Sequence, residues 1–312
     1  MTPENKILMI GLPETGKTSF LAAFVYYVEA EIEIKRLTQY KLSSNTTYIT
    51  LIRQSWLKGV RPERTKVSAS KNKNTTAEIY LRDTQTNENI TLHICDNFGE
   101  AYESQFNLRY LDSEYLAQIK HSAGMILFIH PVSIQYPTLI EDLKLANDVA
   151  DLINSSIGGS EEGEDKDGET KIPESDVISQ FKIEETPTSV VLVDLLESHL
   201  EFSEYKPMNL AVVVSAWDVV KGTSDEISPL KWIELNLPLL YQYLITNFER
   251  LNFKTFGISA VGGNITDPVV AESLRKFHEP MERVMVVEDE GTHKNIASPV
   301  EWILNQWQAK RP

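Results

Sequence analysis

The amino-acid sequence predicts an α/β fold whose sheet is mostly parallel and doubly wound, with one antiparallel strand. A glycine-rich loop at residues 11–18 lies between an apolar run at 7–10 and the start of a helical repeat. Two strand-like segments, 77–82 and 90–96, follow each other across a turn-rich link, as in a hairpin. The run at 210–214 is apolar throughout, which is typical of a parallel strand covered on both faces. These features favour one sheet with helices on both sides and a ligand at the carboxyl ends of its strands.

The loop at residues 11–18 is the strongest functional signal in the chain. It reads Gly-Leu-Pro-Glu-Thr-Gly-Lys-Thr and matches the phosphate-binding pattern G-x-x-x-x-G-K-[ST] at every fixed position. Between a buried strand and a helix N-terminus, successive backbone N–H groups point into one concavity, where the helix dipole also favours anions. Pro13 has no N–H group, so the cradle rests on the amides of residues 14–18.

The same pattern gives a role to the polar side chains of the loop. Lys17 would contact the β- and γ-phosphates, and the Thr18 hydroxyl would bind Mg²⁺. We therefore predict a P-loop NTPase that binds a nucleoside di- or triphosphate. The predicted phosphate-binding residues of the loop are Gly11, Glu14, Thr15, Gly16, Lys17, Thr18 and Ser19.

Composition limits the class of protein. The 312 residues are 42% hydrophobic and 24% charged, as in an ordinary globular protein, and the formal net charge is −15. That charge argues against a surface for nucleic acid or anionic membranes, which needs clustered Lys and Arg. With Cys95 as the single cysteine, no internal disulfide is expected. The longest apolar stretch, 123–132, is too short to span a bilayer and residues 1–6 show no signal peptide, so we expect a cytoplasmic protein without membrane insertion.

Helical and strand-like segments alternate along the chain in a way that predicts a single domain over residues 1–312. The first helix is expected from Lys17 to about Lys35, and a helical insertion at about 36–60 contains a helix over 46–58 that Asn45 caps and Gly59 ends. Further helices are predicted near 113–121, from residue 186, after residue 228 and after residue 238. Strands are predicted at 124–131 and, as the last one, at 253–258. A capping box formed by Ser298 and Glu301 would begin a closing helix.

One segment carries too little apolar surface to fold on its own. Residues 155–176 hold eight carboxylates against two lysines, and four glycines lie among them. Such a composition predicts a disordered acidic loop. The simplest interpretation is that this loop is a solvated insertion. The alternative is that it is a docking segment for a basic partner.

The hairpin ends in Asp96-Asn97-Phe98-Gly99-Glu100, and at this point the sequence resembles a known class. A phosphate loop, an antiparallel hairpin and then D-x-x-G is similar to the translation-factor-related, or Ras-like, GTPases. The resemblance implies that Asp96 holds Mg²⁺ through water and that the Gly99 amide meets the γ-phosphate. It also implies a first-switch threonine that binds the metal, for which Thr65 is the candidate and Thr75 and Thr76 are the alternatives.

The resemblance extends to the guanine-binding motifs of the class. After the apolar run at 210–214 the class carries [N/T]-K-x-D, whose Asp accepts hydrogen bonds from the guanine N1–H and exocyclic amine; Asp218 matches this position. Ser215 and Ala216 depart from the motif, so the base would be held more weakly or covered by Trp217 or another side chain. The final base-contact motif, Ser-Ala, follows the predicted strand at 253–258. The predicted guanine-binding residues are Asp218, Trp217, Ser259 and Ala260.

A narrower resemblance rests on three stretches: the loop at 11–18, the Pro-x-Arg-Thr at 62–65 and the Ala-Trp-Asp at 216–218. These look like the double-GTPase group of bacterial conflict and defence systems, and the likeness covers nearly the whole chain. It implies a bacterial switch protein that binds GTP and GDP with Mg²⁺ and works with protein partners or effectors, such as another GTPase.

Hydrolysis is expected to be slow. Ras-like GTPases place a Gln after D-x-x-G to orient the attacking water, and Glu100 stands there instead. The residues expected to take part in catalysis are Lys17, Glu100 and Thr65, and the arginines that could neutralise charge in cis are Arg61, Arg64 and Arg109. Two alternatives remain open. One is a nucleotide-binding scaffold that does not hydrolyse, and the other is an ATP-using P-loop enzyme, against which the hairpin and Asp96-Asn97 argue.

Overall fold

The structure is a computed structural model that describes residues 5–30, 35–60, 76–95, 105–106, 111, 113–137, 186–221 and 227–310. Several predicted features lie outside the described residues: the switch and metal residues Thr65, Asp96, Gly99 and Glu100, the candidate arginines and the acidic segment 155–176. For Thr76 and Cys95 the backbone alone is described.

A single sheet forms the centre of the molecule. Its strands, in chain order, are β1 (Lys6–Ile10), β2 (Leu37–Lys41), β3 (Thr76–Asp83), β4 (Asn89–Cys95), β5 (Ser122–Ile129), β6 (Met208–Ser215), β7 (Leu251–Ser259), β8 (Met285–Glu288) and β9 (Gly291–His293). Their order across the sheet is β2-β3-β4-β1-β5-β6-β7-β8-β9. The five strands from β4 to β7 in this order are parallel to one another.

The described residues form nine α-helices around this sheet. They are α1 (Lys17–Glu29), α2 (Thr46–Leu57), α3 (Ser113–Lys120), α4 (Thr188–Phe202), α5 (Trp217–Lys221), α6 (Pro229–Asn236), α7 (Pro238–Thr246), α8 (Pro268–Arg275) and α9 (Ser298–Ala309). Residues of α1, α2 and α9 share one apolar layer with the sheet, and residues of α3, α4, α6 and α7 share the other. The prediction of an α/β fold with a mostly parallel sheet is confirmed.

The expectation of one antiparallel strand is wrong in number. The predicted hairpin exists, and β3 pairs antiparallel to β4 from Thr76 opposite Cys95 to Arg82 opposite Asn89. β8 is a second antiparallel strand, because it pairs antiparallel to β7. The strand predicted as the last one is followed by β8 and β9, and the helical insertion also contains a strand, β2, which pairs with β3.

The observed helix ends agree with some of the predicted caps and boundaries and not with others. Asn45 caps α2, because its side-chain oxygen accepts from the Tyr48 N–H at 3.2 Å, and Gly59 follows its end with a φ of 62°. The first helix ends at Glu29 rather than near Lys35. The predicted capping box at the start of α9 is wrong. Ser298 is the first helical residue there, and its hydroxyl donates to the Asn295 carbonyl instead of accepting from a helix amide.

The central strands place the candidate site at one edge of the sheet. β5 and β6 are buried along their whole lengths, as the continuous apolar runs in the sequence predict. Because β1, β5, β6 and β7 run parallel, their carboxyl ends lie at the same edge. Among the described residues, no helix combines the length and the apolar character that crossing a membrane requires.

Candidate functional site

The loop between β1 and α1 has the backbone form of an anion-binding concavity. Gly11, Glu14 and Gly16 have φ angles of 144°, 60° and 86°, so left-handed and right-handed residues are interspersed within it. Turns of this kind aim successive N–H groups toward one point, where an anion is bound. The N-terminus of α1 adds its dipole, and no acidic side chain lies in the first turn of α1 to oppose an anion there.

Two glycines allow the loop to lie directly on the neighbouring strands. A Cβ atom on Gly11 would be 2.7 Å from the Phe128 carbonyl oxygen of β5. A Cβ atom on Gly16 would be 3.0 Å from both Cβ and Oγ of Ser215, the last residue of β6. A side chain at either position would push the loop away from the sheet, which explains why both are glycine.

The side chains of the loop are held by the loop itself. The Thr15 hydroxyl donates to the Leu12 carbonyl at 2.8 Å. The Lys17 ammonium donates to the carbonyl oxygens of Gly11 at 2.7 Å and Leu12 at 2.6 Å, and it lies 3.2 Å from the Thr15 hydroxyl. The positive charge of Lys17 is thus placed over the loop. Thr18 and Ser19 are half-buried in the first turn of α1, directly beside it.

A second group of polar residues lies at the ends of β6 and β7. The Ser259 hydroxyl donates to the Asp218 carboxylate and accepts from the Gly262 N–H at 3.0 Å. The carboxylate is half-buried, so a hydrogen bond that fixes its direction matters for any ligand that it accepts from. The Ser215 hydroxyl donates to the Ile129 carbonyl at 3.1 Å and thereby joins the ends of β5 and β6. Since Ser215 also contacts Gly16, the two groups of residues form one site.

The role expected for Trp217 does not agree with its position. Its side chain is 2% exposed and belongs to the core. The indole packs so tightly over Gly257 of β7 that a Cβ atom there would overlap the ring. Trp217 is therefore a packing residue that anchors α5, and we remove it from the predicted guanine-binding residues. The preceding residue, Ala216, has a φ of 46°, which turns the chain from β6 into α5.

The Ser-Ala motif predicts Ala260 as a site residue, but no motif predicts the side chain that binds its carbonyl oxygen. The indole N–H of Trp56, near the end of α2, donates to the Ala260 carbonyl at 2.8 Å in a buried setting. The two residues are 204 positions apart in the chain. No local pattern in the sequence connects them, because the contact depends on how α2 packs against the loop after β7.

His130 is a further residue of this edge, and no motif in the sequence marks it. It directly follows β5 and is half-buried, and the nearby carboxylates of Asp218 and Glu14 favour its protonated form. Burial lowers the pKa of His130 more than these two carboxylates raise it. The sequence feature that could have identified it is its position directly after a buried parallel strand, because a residue there lies at the carboxyl edge of the sheet.

The side chains described at this site could bind Mg²⁺ only together with the phosphates of a bound nucleotide. The described residues contain no group of three or more His, Cys, Asp or Glu side chains that could hold a metal. Mg²⁺ commonly binds through one or two protein oxygens together with substrate phosphates and water. The hydroxyl of Thr18, in the first turn of a helix that follows an anion-binding loop, is a suitable oxygen for that mode.

The fold and these residues define the class of protein as a GTPase-type α/β domain. Residues 8–303 match the model of a protein family described as Double-GTPase 1, so the chain belongs to this family. The double-GTPase resemblance predicted from the loop at 11–18, the Pro-x-Arg-Thr at 62–65 and the Ala-Trp-Asp at 216–218 is therefore confirmed. The family name implies a domain that binds GTP and GDP. A search among curated proteins gave no match.

Proposed function

We propose that this protein is a GTP-binding molecular switch that hydrolyses GTP slowly in the presence of Mg²⁺. The observation that carries the proposal is the contact between the two halves of the site: Ser215, at the start of the predicted base motif, packs against Gly16 of the phosphate loop. One ligand with an anionic end and a heterocyclic end fits such an arrangement. The family to which the chain belongs supports guanine as the base.

The selectivity for guanine rests on Asp218. A carboxylate accepts hydrogen bonds and donates none, and guanine offers two donors side by side, the N1–H and the exocyclic amine. Adenine presents an unprotonated ring nitrogen at the corresponding position, so it would face the carboxylate with a lone pair. Ser259 fixes the direction of the Asp218 carboxylate, which favours a paired contact over a loose one.

The phosphates would lie in the loop of residues 11–18, and Lys17 would move its donors from the loop carbonyls to phosphate oxygens. Thr18, Thr65 and Asp96 are the residues that would hold Mg²⁺, directly or through water. When bound, the ion neutralises charge that develops on the phosphate oxygens. The Gly99 amide would sense the γ-phosphate, and loss of that phosphate would release the segment that carries it.

The base can be tested by changing Asp218 to Asn. The variant loses the charged acceptor and presents an amide N–H₂ to the amine of guanine, so GTP affinity should fall about a hundredfold, since hydrogen bonds to charged groups are worth about 1.5–3 kcal/mol each. Xanthine has a carbonyl where guanine has the amine, so Asp218→Asn should prefer xanthosine triphosphate to GTP. Titration with fluorescent nucleotides and Mg²⁺ measures both affinities.

Asp267→Asn is the matched control. Asp267 caps α8 by accepting from the amides of Val269 and Val270, and Asn caps helices equally well. This variant removes the same charge outside the site and should leave the order of nucleotides unchanged. Equal weakening of both nucleotides in Asp218→Asn would mean that Asp218 only supports a turn, and the guanine proposal would then fall.

The slow rate of hydrolysis is proposed from Glu100. A carboxylate near the γ-phosphate is repelled by it and orients water less well than Gln, so turnover of the purified chain should not exceed about 10⁻³ per second. Phosphate release under single-turnover conditions measures this rate. A turnover above about one per second would contradict the proposal, and so would a large loss of rate in Glu100→Gln, which would identify the carboxylate as an active base.

A nucleotide-binding scaffold without hydrolysis is the second candidate, and Glu100 is the observation that favours it. The two candidates separate in the same measurement, because a scaffold binds GTP and releases no phosphate. The resemblance to bacterial conflict systems supports protein partners or effectors in the cytoplasm, and an activating partner could supply the water-orienting group that Glu100 replaces.

A further inference from the structure

The end of α2 is attached to the loop that follows β7. The indole N–H of Trp56 donates to the Ala260 carbonyl at 2.8 Å, and the Trp56 side chain is 3% exposed. We call residues 259–263 the base loop, because it contains the Ser259 that orients Asp218. The carbonyl of Ala260 therefore points toward α2 and contacts it.

Two arginines reinforce the attachment. Arg283 lies with its guanidinium carbon 4.4 Å from the centre of the Trp56 ring, and its Nη2 donates to the Trp56 carbonyl at 3.2 Å. Arg275, at the end of α8, donates from Nε to the Lys58 carbonyl at 2.8 Å. Both arginines thus bind carbonyl oxygens at the C-terminus of α2, where the helix dipole favours positive charge.

The base loop is also packed closely against Arg283. Gly262 has a φ of 90°, and a Cβ atom on it would be 2.6 Å from the Arg283 carbonyl oxygen. The Gly262 N–H in turn donates to Ser259, whose hydroxyl donates to Asp218. An unbroken series of contacts therefore leads from the Trp56 indole through the base loop to the Asp218 carboxylate.

We propose that Trp56 is a positioning residue for the base loop, so that α2 is part of the guanine site although it does not contact the base. This inference rests on the proposed function, since it assumes that Asp218 and the base loop bind guanine. The Ala260 carbonyl is buried and needs a donor, and Trp56 supplies it from a rigid ring held by Arg283. Without that donor the base loop loses its fixed distance from α2, and Ser259 no longer holds Asp218 in one direction.

The variant Trp56→Phe isolates the hydrogen bond. Phenylalanine keeps an aromatic ring for Arg283 to stack on and removes the N–H group. We expect GTP to bind about tenfold more weakly, as for the loss of a buried hydrogen bond. Inorganic triphosphate with Mg²⁺, which uses the phosphate and metal residues but not the base loop, should bind with an affinity within about twofold of the unsubstituted chain.

A ligand-free measurement makes the test independent of the proposed function. Amide hydrogen exchange over residues 259–263 should be about tenfold faster in Trp56→Phe, because local opening no longer breaks the bond to the indole. If the unsubstituted chain showed no preference for GTP, the proposed function would fail, while faster exchange in the base loop would still support the positioning role. Unchanged exchange together with unchanged GTP affinity would overturn the inference.

Trp307→Phe is the matched control. Trp307 is 5% exposed, and its indole N–H donates to the Asn5 side chain at 3.1 Å, away from the base loop. This variant should lower stability without changing GTP affinity or exchange at 259–263. If both tryptophan variants changed the base loop equally, or if Trp56→Phe weakened GTP and triphosphate to the same extent, the effect would be global and the inference wrong.

Arg275→Ala provides a second variant in case Trp56→Phe does not fold. Arg275 is exposed, so its loss should not unfold the protein. It removes a different bond between α8 and α2, and exchange over 259–263 should rise by about twofold. No change in exchange in this variant would contradict the attachment as the cause of order in the base loop.

Discussion

At the scale of single residues, the glycines that have positive φ angles differ in what surrounds them. Gly16 has a φ of 86°, and Ser215 lies 3.0 Å from where its Cβ would be. Gly291, in β9, has a φ of 131° and nothing within 4 Å of a Cβ. Both would be strained by a side chain, but only Gly16 would also transmit a displacement to its neighbours.

Comparing Gly16→Ala with Gly291→Ala separates these two effects. Both variants should lose about 1–2 kcal/mol of stability from the unfavourable backbone conformation. Gly16→Ala should also abolish nucleotide binding, because the loop must move off Ser215, whereas Gly291→Ala should bind normally. Chemical denaturation and nucleotide titration measure the two quantities. Normal binding in Gly16→Ala would show that the contact with Ser215 is not needed.

Lys17→Ala tests the charge in the loop. The variant should lose triphosphate binding, because the Lys17 ammonium lies over the loop, where it can donate to phosphate oxygens. The Lys17 bonds to the Gly11 and Leu12 carbonyls are only partly buried, so the stability of the ligand-free protein should change by no more than about 1 kcal/mol. A large fall in the thermal midpoint without ligand would show that Lys17 is structural.

The sequence predicted the role of a residue where the residues that act together lie within one short motif. The glycines and Lys17 belong to one short motif, since a phosphate loop needs its amides and charge within a few residues. Trp56 and His130 have no such motif, because their places follow from packing between distant elements. Trp217 was assigned wrongly, since its neighbour Asp218 lies at the site while its own ring points into the core.

At the scale of elements, α5 is anchored by the packing of one ring on one strand. Trp217 lies over Gly257 of β7, and Asp218 is the next residue of α5. The position of the carboxylate therefore depends on a glycine that is distant in the sequence. Gly124 of β5 is comparable in its packing, because a Cβ there would be 2.7 Å from both the Asn209 carbonyl and Ile303 of α9.

Gly257→Ala and Gly124→Ala should separate stability from binding. Each adds a methyl group to a filled core, which costs about 1–3 kcal/mol. Gly257→Ala should in addition weaken GTP, because Trp217 must move and Asp218 moves with it. Gly124→Ala should bind GTP normally at a temperature where it is folded. Equal GTP affinity in the two variants would contradict the link between Gly257 and Asp218.

The elements that the sequence predicted have strong local signals. The helix α2 begins at an Asn that caps it and ends at a Gly in the left-handed conformation, and β5 and β6 are continuous apolar runs. β2, β8 and β9 were missed, because they are three to five residues long and owe their form to the edges of a sheet that is already built.

At the scale of the whole molecule, acidity should weaken the fold through His199. Its ring is fully buried in α4, where Nδ1 lies 2.7 Å from the Leu195 carbonyl and Nε2 lies 2.5 Å from the Tyr115 hydroxyl of α3. Nδ1 therefore donates, and Nε2 accepts from Tyr115. Burial lowers the pKa of His199 from 6.5 to about 4. The unfolded chain thus binds a proton at a higher pH than the folded one.

The sign and range of the effect follow from these two pKa values. The contribution of uncharged His199 to the free energy of unfolding is complete above pH 6.5, declines as the pH falls and is fully lost near pH 4. Between pH 7.5 and 5 the free energy of unfolding should fall by about 2 kcal/mol, which urea denaturation at the two values measures. Carboxylates whose pKa is lowered, such as Asp83, add their own losses at lower pH.

His199→Gln identifies the group responsible. Glutamine does not titrate, so this variant should be less stable at pH 7.5 but should lose about 2 kcal/mol less on going to pH 5. His278→Gln, which changes an exposed histidine, should follow the pH dependence of the unsubstituted chain. If His199→Gln and His278→Gln declined in parallel, the acid sensitivity would come from other groups.

The closing helix α9 joins parts of the chain that are synthesised at very different times. Ile303 fills the space over Gly124 of β5, Gln308 donates to Asp83 of β3, and the Trp307 indole donates to Asn5, which precedes β1. On the ribosome, the part of this apolar face that α9 covers stays exposed until residue 309 leaves the exit tunnel, although α1 and α2 can already cover the rest of it. The protein therefore completes its core after translation of this region rather than during it, and chaperones that bind exposed apolar surface have their longest opportunity in that interval.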